Sequence, residues 1–180
     1  MSGWGRLLRR FAAVPELPAG FTGILEPAER VVTMGELVDG GHLVLTQLGL
    51  WVPEGADARR IGWDLVSKVV WDRSELVVTE AVSTGTAGEA VLLSDLPPRR
   101  FALAQPGKVP EVVRQRVISS IRSSEHCELP GGGAWFVQRR IPGRNGVVLQ
   151  VRADPGTALD AVEMMASEVA SRLPRPDPPG

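Results

Sequence analysis

The chain has 180 residues, with 20 Lys and Arg against 21 Asp and Glu, a formal net charge of −1 and 43% hydrophobic residues. That balance fits one folded domain, or one domain with an appendage, and excludes a wholly disordered chain; 20 Gly and 15 Pro without a strict period exclude collagen and coiled-coil rods. One cysteine excludes an internal disulfide framework and a four-cysteine zinc site, and two histidines leave little for metal or acid–base chemistry.

Residues 1–20 read as a basic amphipathic arm. Trp4, Leu7, Leu8, Phe11 and Val14 recur at helical spacing, with Arg6, Arg9 and Arg10 between them. Trp4, Leu7, Leu8 and Phe11 are the candidate membrane contacts of such an arm on an anionic surface. The competing expectation is an arm docked on its own domain through Trp4 and Phe11. The arginines interrupt the apolar run, so the segment does not read as a secretory signal, and the expected location is cytoplasmic. No window of about 18 uninterrupted apolar residues exists to span a bilayer.

Pro15, Pro18 and Gly20 separate the arm from a series of short predicted strands. These are Arg30–Val38, His42–Leu48, Leu50–Val52, Arg59–Val66, Val69–Trp71, Leu76–Val82, Ala90–Leu93 and Phe101–Ala104. Asp39-Gly40-Gly41 and Pro53-Glu54-Gly55 supply turns, and Gly85–Gly88 reads as a loop. A spacing of roughly 8–12 residues per strand predicts an antiparallel sandwich or barrel. A helix is predicted over 109–123. Pro110 suits its first turn, and Val113, Val117 and Ile121 form a stripe that Ile118 widens. This helix is expected to cover the open end of the barrel.

A second unit is predicted over 126–174. Ala134–Ile141 and Val147–Val151 flank Gly143-Arg144-Asn145-Gly146, a strong hairpin signal. A helix follows from Thr157, with Asp160 as a capping-box acid. Its stripe is Ala158, Val162, Met165 and Val169, widened by Leu159, Ala166 and Leu173. Gly131-Gly132-Gly133 reads as a flexible joint, and 175–180 as a disordered Pro-rich tail. Self-association through an uncovered edge strand is a further expectation, with Val147–Val151 and Arg30–Val38 as the candidate edges.

Charge is uneven. Residues 21–98 carry 5 basic and 12 acidic side chains, whereas 99–122 carry 6 basic and 1 acidic. Arg99, Arg100, Lys108, Arg114 and Arg116 are the candidate anion or partner patch, the alternative being a basic segment that complements the acidic barrel or forms a solvated face. No aromatic residues interleave with these arginines, so nucleic acid is not expected as a partner. Nucleophilic chemistry finds no support: no G-x-S-x-G elbow is present, and His126 and Cys127 are neighbours that point apart in an extended segment. Thr84-Gly85-Thr86-Ala87-Gly88 lacks the lysine of a phosphate-binding loop. No metal-ligand spacing appears, and no cofactor is expected. Trp51, Trp63 and Trp71 are expected as core or sheet-edge anchors, the alternative being that one or two of them line a ligand or partner groove.

Glu29-Arg30-Val31, Leu43-Val44-Leu45-Thr46, Gly49-Leu50-Trp51-Val52, Arg59-Arg60-Ile61-Gly62-Trp63, Val69-Val70-Trp71-Asp72 and Leu76-Val77-Val78 together resemble bacterial pleckstrin-homology-like (PH-like) domains. The resemblance covers about residues 24–123, with Gly62 where the family pattern has proline. It implies an α+β fold: a PH-like antiparallel bent β-barrel of seven strands over 21–125, closed by a C-terminal helix. A β-hairpin plus helix appendage then follows. It implies no enzyme activity and a role as an interaction or scaffold module for a protein partner. The alternatives are a peripheral membrane adaptor using the arm and the basic helix, and a small-molecule binder or enzyme with a pocket between barrel and appendage. Arg139, Arg140 and Arg144 are the residues that could serve that pocket.

Overall fold

The structure, a computed structural model, describes residues 15–173. Trp4, Leu7, Leu8, Phe11 and the 175–180 tail lie outside the described residues. Strands β1 (Val31–Glu36), β2 (His42–Thr46), β3 (Gly49–Glu54) and β4 (Asp57–Gly62) form an antiparallel meander in chain order. Leu43, Leu45, Leu50, Val52 and Ile61 point inward. Val31, Val44 and Trp51 point to the other face, where Phe21 and Leu25 of the preceding segment cover them. Both faces of β2 are therefore buried, and its apolar run replaces strict alternation.

The predicted strand Arg59–Val66 instead divides. β4 ends at Gly62, and Trp63–Leu65 form a 3-10 turn that sinks Trp63 into the core at 2% exposure. Strand β5 (Val66–Asp72) pairs with β6 (Glu75–Ala87), which runs on for 13 residues through the predicted Gly85–Gly88 loop. The chain returns along β6 as β7 (Ala90–Asp95) and β8 (Arg99–Ala102). Pro97 and Pro98, which have no N–H to give a ladder, divide the two. Val38 N–H donates to the Ala102 carbonyl, and Ala104 N–H to Glu36, both at 2.9 Å. These bonds join β8 to β1 and curl the sheets into a half-barrel.

Helix α1 (Val109–Ser120) lies over the mouth of the half-barrel. Val109, Val113 and Val117 are buried against Trp63, Leu76 and Phe101. Burying three valines contributes on the order of 5 kcal/mol. The helix stops three residues before the expected end. Ser120 Oγ–H turns back to the Val117 carbonyl at 2.6 Å, and Arg140 N–H takes the Ser120 carbonyl at 2.8 Å. Ile121 is extended and leaves the stripe, and Ile118 is 55% exposed rather than part of the core face.

The second unit begins at Ile121, so the expected boundary at 125–126 falls inside a strand. β9 (Ile121–Leu129), β10 (Gly132–Arg139) and β11 (Val148–Ala153) are antiparallel neighbours, giving three strands where a hairpin was expected. The tight turn of this unit is Pro130-Gly131, with Gly131 at φ +83°, not a flexible joint. Asn145-Gly146 belongs to a longer loop, because Arg139 and Val148 form the last β10–β11 pair. β11 adds in parallel to β7 through Gln150–Val91 and Val151–Leu92. The result is one seven-stranded sheet ordered β5-β6-β7-β11-β10-β9, with β8 beside β6. The Val147–Val151 region is thus interior to the sheet and no free edge.

Helix α2 (Leu159–Arg172) packs Val162, Ala166 and Ala170 on Ala134, Phe136, Leu149 and Val151. Leu159 is 68% exposed instead of widening the stripe. Thr157 does not cap this helix. Its hydroxyl donates to the Gly133 carbonyl at 2.8 Å and accepts from the Gly133 N–H at 3.0 Å, tying the helix entry to β10. Among the described residues no helix is long and apolar enough to cross a membrane.

Candidate functional site

β5 pairs with β6 on one side and, among the described residues, with no strand on the other. A groove of about 920 Å3 runs between this free edge and α1. Its wall combines Val69, Trp71 and Leu76 with Pro110, Val117 and Ile118, and Lys68, Glu111 and Arg114 stand at its rim. Trp71 is 37% exposed there. Of the three expected tryptophan anchors, Trp51 and Trp63 are buried and Trp71 lines the groove.

The backbone of β5 prepares the edge. Arg73 and Ser74 form a two-residue turn, with Arg73 at φ +57°, so Asp72 and Glu75 close the ladder. Antiparallel alternation then turns the N–H and C=O groups of Val69 and Trp71 away from β6. Ser67 is the extra residue where the register shifts between Val66 and Lys68. Its buried Oγ has no partner among the described residues and lines the groove. A free strand edge and an apolar wall suit an extended peptide backbone with apolar side chains.

The expected basic patch does not converge on this groove. Arg99 and Arg100 are adjacent on β8 and project to opposite faces. Arg99 Nη2 donates to the Pro53 carbonyl at 2.6 Å and its guanidinium lies 5.1 Å from the Phe101 ring centre. Arg100 pairs with Glu75 at 2.8 Å and Asp72 at 3.4 Å. Lys108 is exposed just before α1, and Arg116 is half-buried on the helix. Arg114 alone of the five lines the groove.

A smaller cleft of about 460 Å3 lies between the half-barrel and the 140–147 loop. Arg60, Asp64 and Arg144 line it beside Leu48 and Ile141. Burial pushes the Asp64 carboxyl above its ordinary value, against the opposing pull of its own backbone N–H and of Arg139 and Arg144. Of the three expected arginines, Arg144 lines this cleft, Arg140 is exposed, and Arg139 is buried at 2% exposure.

Sequence reading missed Ser67 and the exposure of Ile118, whereas Trp71 follows the alternative in which a tryptophan lines a groove. One signal was present: Ile118 sits about 100° around the helix from Val117, off the Val109–Val113–Val117 row. Among the described residues no group of three or more His, Cys, Asp or Glu could hold a metal ion. Compared with known proteins, the chain matches no family model, no curated protein and no solved structure.

Proposed function

We propose that this chain is a non-catalytic, PH-like interaction module, working in the cytoplasm, that holds an extended segment of a protein partner in the groove between β5 and α1. The observation that carries this reading is the coincidence of an unpaired strand edge with an apolar wall, Trp71 and Ile118, left exposed to solvent. A segment laid along β5 bonds to the outward groups of Val69 and Trp71 and sets alternate side chains on the wall. PH-like identity rests on the strand-and-tryptophan pattern of residues 24–123 and on the helix over the mouth of the half-barrel.

The test is selection of peptides from a random displayed library on the intact protein, followed by binding to Ile118→Glu and Trp71→Ala variants. Ile118 is 55% exposed and Trp71 37%, so urea melts of both variants accompany the binding assay to separate lost binding from a lost fold. Peptides bound by the parent and weakened at least tenfold by either variant support the reading. Selected peptides indifferent to both variants, or no peptides at all, overturn it.

A second reading, a small-molecule binder, is favoured by the 460 Å3 cleft, a mainly polar site lined by Glu26, Arg60, Asp64 and Arg144. A thermal-shift screen of small zwitterions tests it. A rise in Tm that is lost in Arg144→Gln supports this reading, and no shift removes it.

A further inference from the structure

The sheet face opposite α2 is only partly covered. Along β10, Ala134 and Phe136 face α2, while Trp135, Val137 and Arg139 face the other way. Val137 and Arg139 are buried, but Trp135 is 43% exposed. An indole this open on a sheet face is not explained by the groove, which lies at the β5 end of the same sheet.

The surroundings of Trp135 are fixed by several residues. His126 is its cross-strand partner, with ring centres 5.0 Å apart and planes at 60°. His126 Nε2 lies 2.7 Å from Asp154 Oδ2, which holds the imidazole upright. Gly133 makes room for it, since a Cβ there would stand 2.6 Å from the His126 ring. Two tilted rings therefore form a rigid corner open to solvent.

Charge around the corner is one-sided. Glu128 lies two residues from His126 on the same face of β9 and is exposed. Asp154 stands at the corner, and Asp95 on the same face pairs with Arg152 at 3.1 Å. Arg152, the cross-strand neighbour of Trp135 on β11, is thereby held by Asp95, and Asp154 is held by His126, which leaves Glu128 as the carboxylate at the corner without a partner among the described residues. An aromatic face flanked by acids attracts a cation, through the ring quadrupole and through the carboxylates.

We propose that the Trp135–His126 corner is a docking site for an arginine or lysine side chain presented by a protein partner. The corner is shallow, so a cation needs more contact than the ring offers. The outer edge of β9 (Ile121–Leu129), which pairs with no strand among the described residues, runs alongside and supplies it to a polypeptide. This site is built from β9 and β10 and the groove from β5 and α1, and none of Trp135, His126, Glu128 and Asp154 lines the groove.

The experiment follows the Trp135 indole N–H by NMR on the whole 15N-labelled chain. The probes are acetyl-Gly-Arg-Gly-Arg-Gly-amide and the same peptide with neutral citrulline for arginine. The arginine peptide is expected to shift the Trp135 and His126 signals saturably, with the citrulline peptide at least tenfold weaker. Trp135→Ala is expected to abolish the response and Glu128→Gln to weaken it about threefold, and added salt to weaken it further. Glu128 and Trp135 are exposed, so neither change should unfold the chain. Equal responses to the two peptides, an unchanged affinity in Trp135→Ala, a response mapping to β5 and α1 alone, or no saturable shift would each overturn the proposal.

Discussion

Arg139 and Trp63 stand 76 residues apart, and Arg139 Nη1–H donates to the Trp63 carbonyl at 3.1 Å. The same guanidinium donates to Ser120 Oγ at 2.7 Å and to the Val66 carbonyl at 3.2 Å. One buried side chain on β10 thereby joins the end of α1, the 3-10 turn and the start of β5. Burial pushes the Arg139 guanidinium below its ordinary value, Arg152 adds to this and Asp64 opposes it. Its Nε has no partner among the described residues, so the group acts through its acceptors rather than through an ion pair.

Arg139→Met is expected to lower stability by about 2–4 kcal/mol. It strands two buried carbonyls, each worth about 1–3 kcal/mol, and removes a buried charge that partly offsets the loss. Urea denaturation should show a lower midpoint with an unchanged slope. A variant as stable as the parent would mean that water reaches those carbonyls.

Glu29 is buried and accepts from Thr46 Oγ1 at 2.6 Å, Trp51 Nε1 at 2.9 Å and Arg60 Nη1 at 2.5 Å. Burial alone would raise its pKa, but these bonds, the Glu26 N–H and the Arg60 charge together hold it below the ordinary 4.5. A depressed carboxyl stabilises the fold fully above its unfolded value, and this is lost as pH falls from 4.5 through the folded-state value. Glu29→Gln is expected to cost about 1.5–3 kcal/mol at pH 7. Its acid limb should be flatter than the parent's in melts between pH 5 and pH 2. A parallel pair of curves would refute the assignment.

Asp64 has the opposite sign. With its folded-state pKa raised above 3.8, ionisation works against the fold. Stability then declines as pH rises from 3.8 through the folded-state value, and the penalty is constant above it. Asp64→Asn is expected to raise Tm at pH 7, with the gain vanishing below pH 3.8. Calorimetry at both pH values checks this, and a lower Tm at pH 7 contradicts it.

Gly131 combines φ +83° with a close approach, since a Cβ there would stand 2.5 Å from the Gly156 carbonyl oxygen. Gly131→Ala is expected to cost at least about 2 kcal/mol, from left-handed strain of about 1–2 kcal/mol plus that clash. Gly85 in β6 is the control, because a Cβ there meets nothing within 4 Å. Gly85→Ala should change stability by less than about 0.5 kcal/mol. Equal effects in the two variants, measured by urea denaturation, would exclude the strain argument.

The strands of the meander and the Val109–Val113–Val117 row were legible because each buries apolar side chains at a regular period. β9 was not. Its sequence, Ile-Arg-Ser-Ser-Glu-His-Cys-Glu-Leu, shows no apolar alternation, since an edge strand with one open face buries only Cys127 and Leu129 in part. The 140–147 loop misled for a different reason. Asn145-Gly146 favours a tight turn locally, but Ile141-Pro142 interrupts pairing first, and Gly143 settles near Leu48. The Glu29 network links residues 17, 22 and 31 positions away, and only the tertiary fold brings them together. The groove was hidden likewise, because its two walls come from segments some 40 residues apart.

The length of β6 has a thermodynamic corollary. Its first half belongs to the core around Leu76 and Val78, and its last residue, Ala87, to the core beneath α2. A polypeptide terminated at Ser120 would keep β6 and β7 whole but leave Ala87, Ala90 and Leu92 uncovered, along with the β7 edge that β11 occupies. The two cores should therefore melt as one cooperative unit, and their amides should exchange with solvent together.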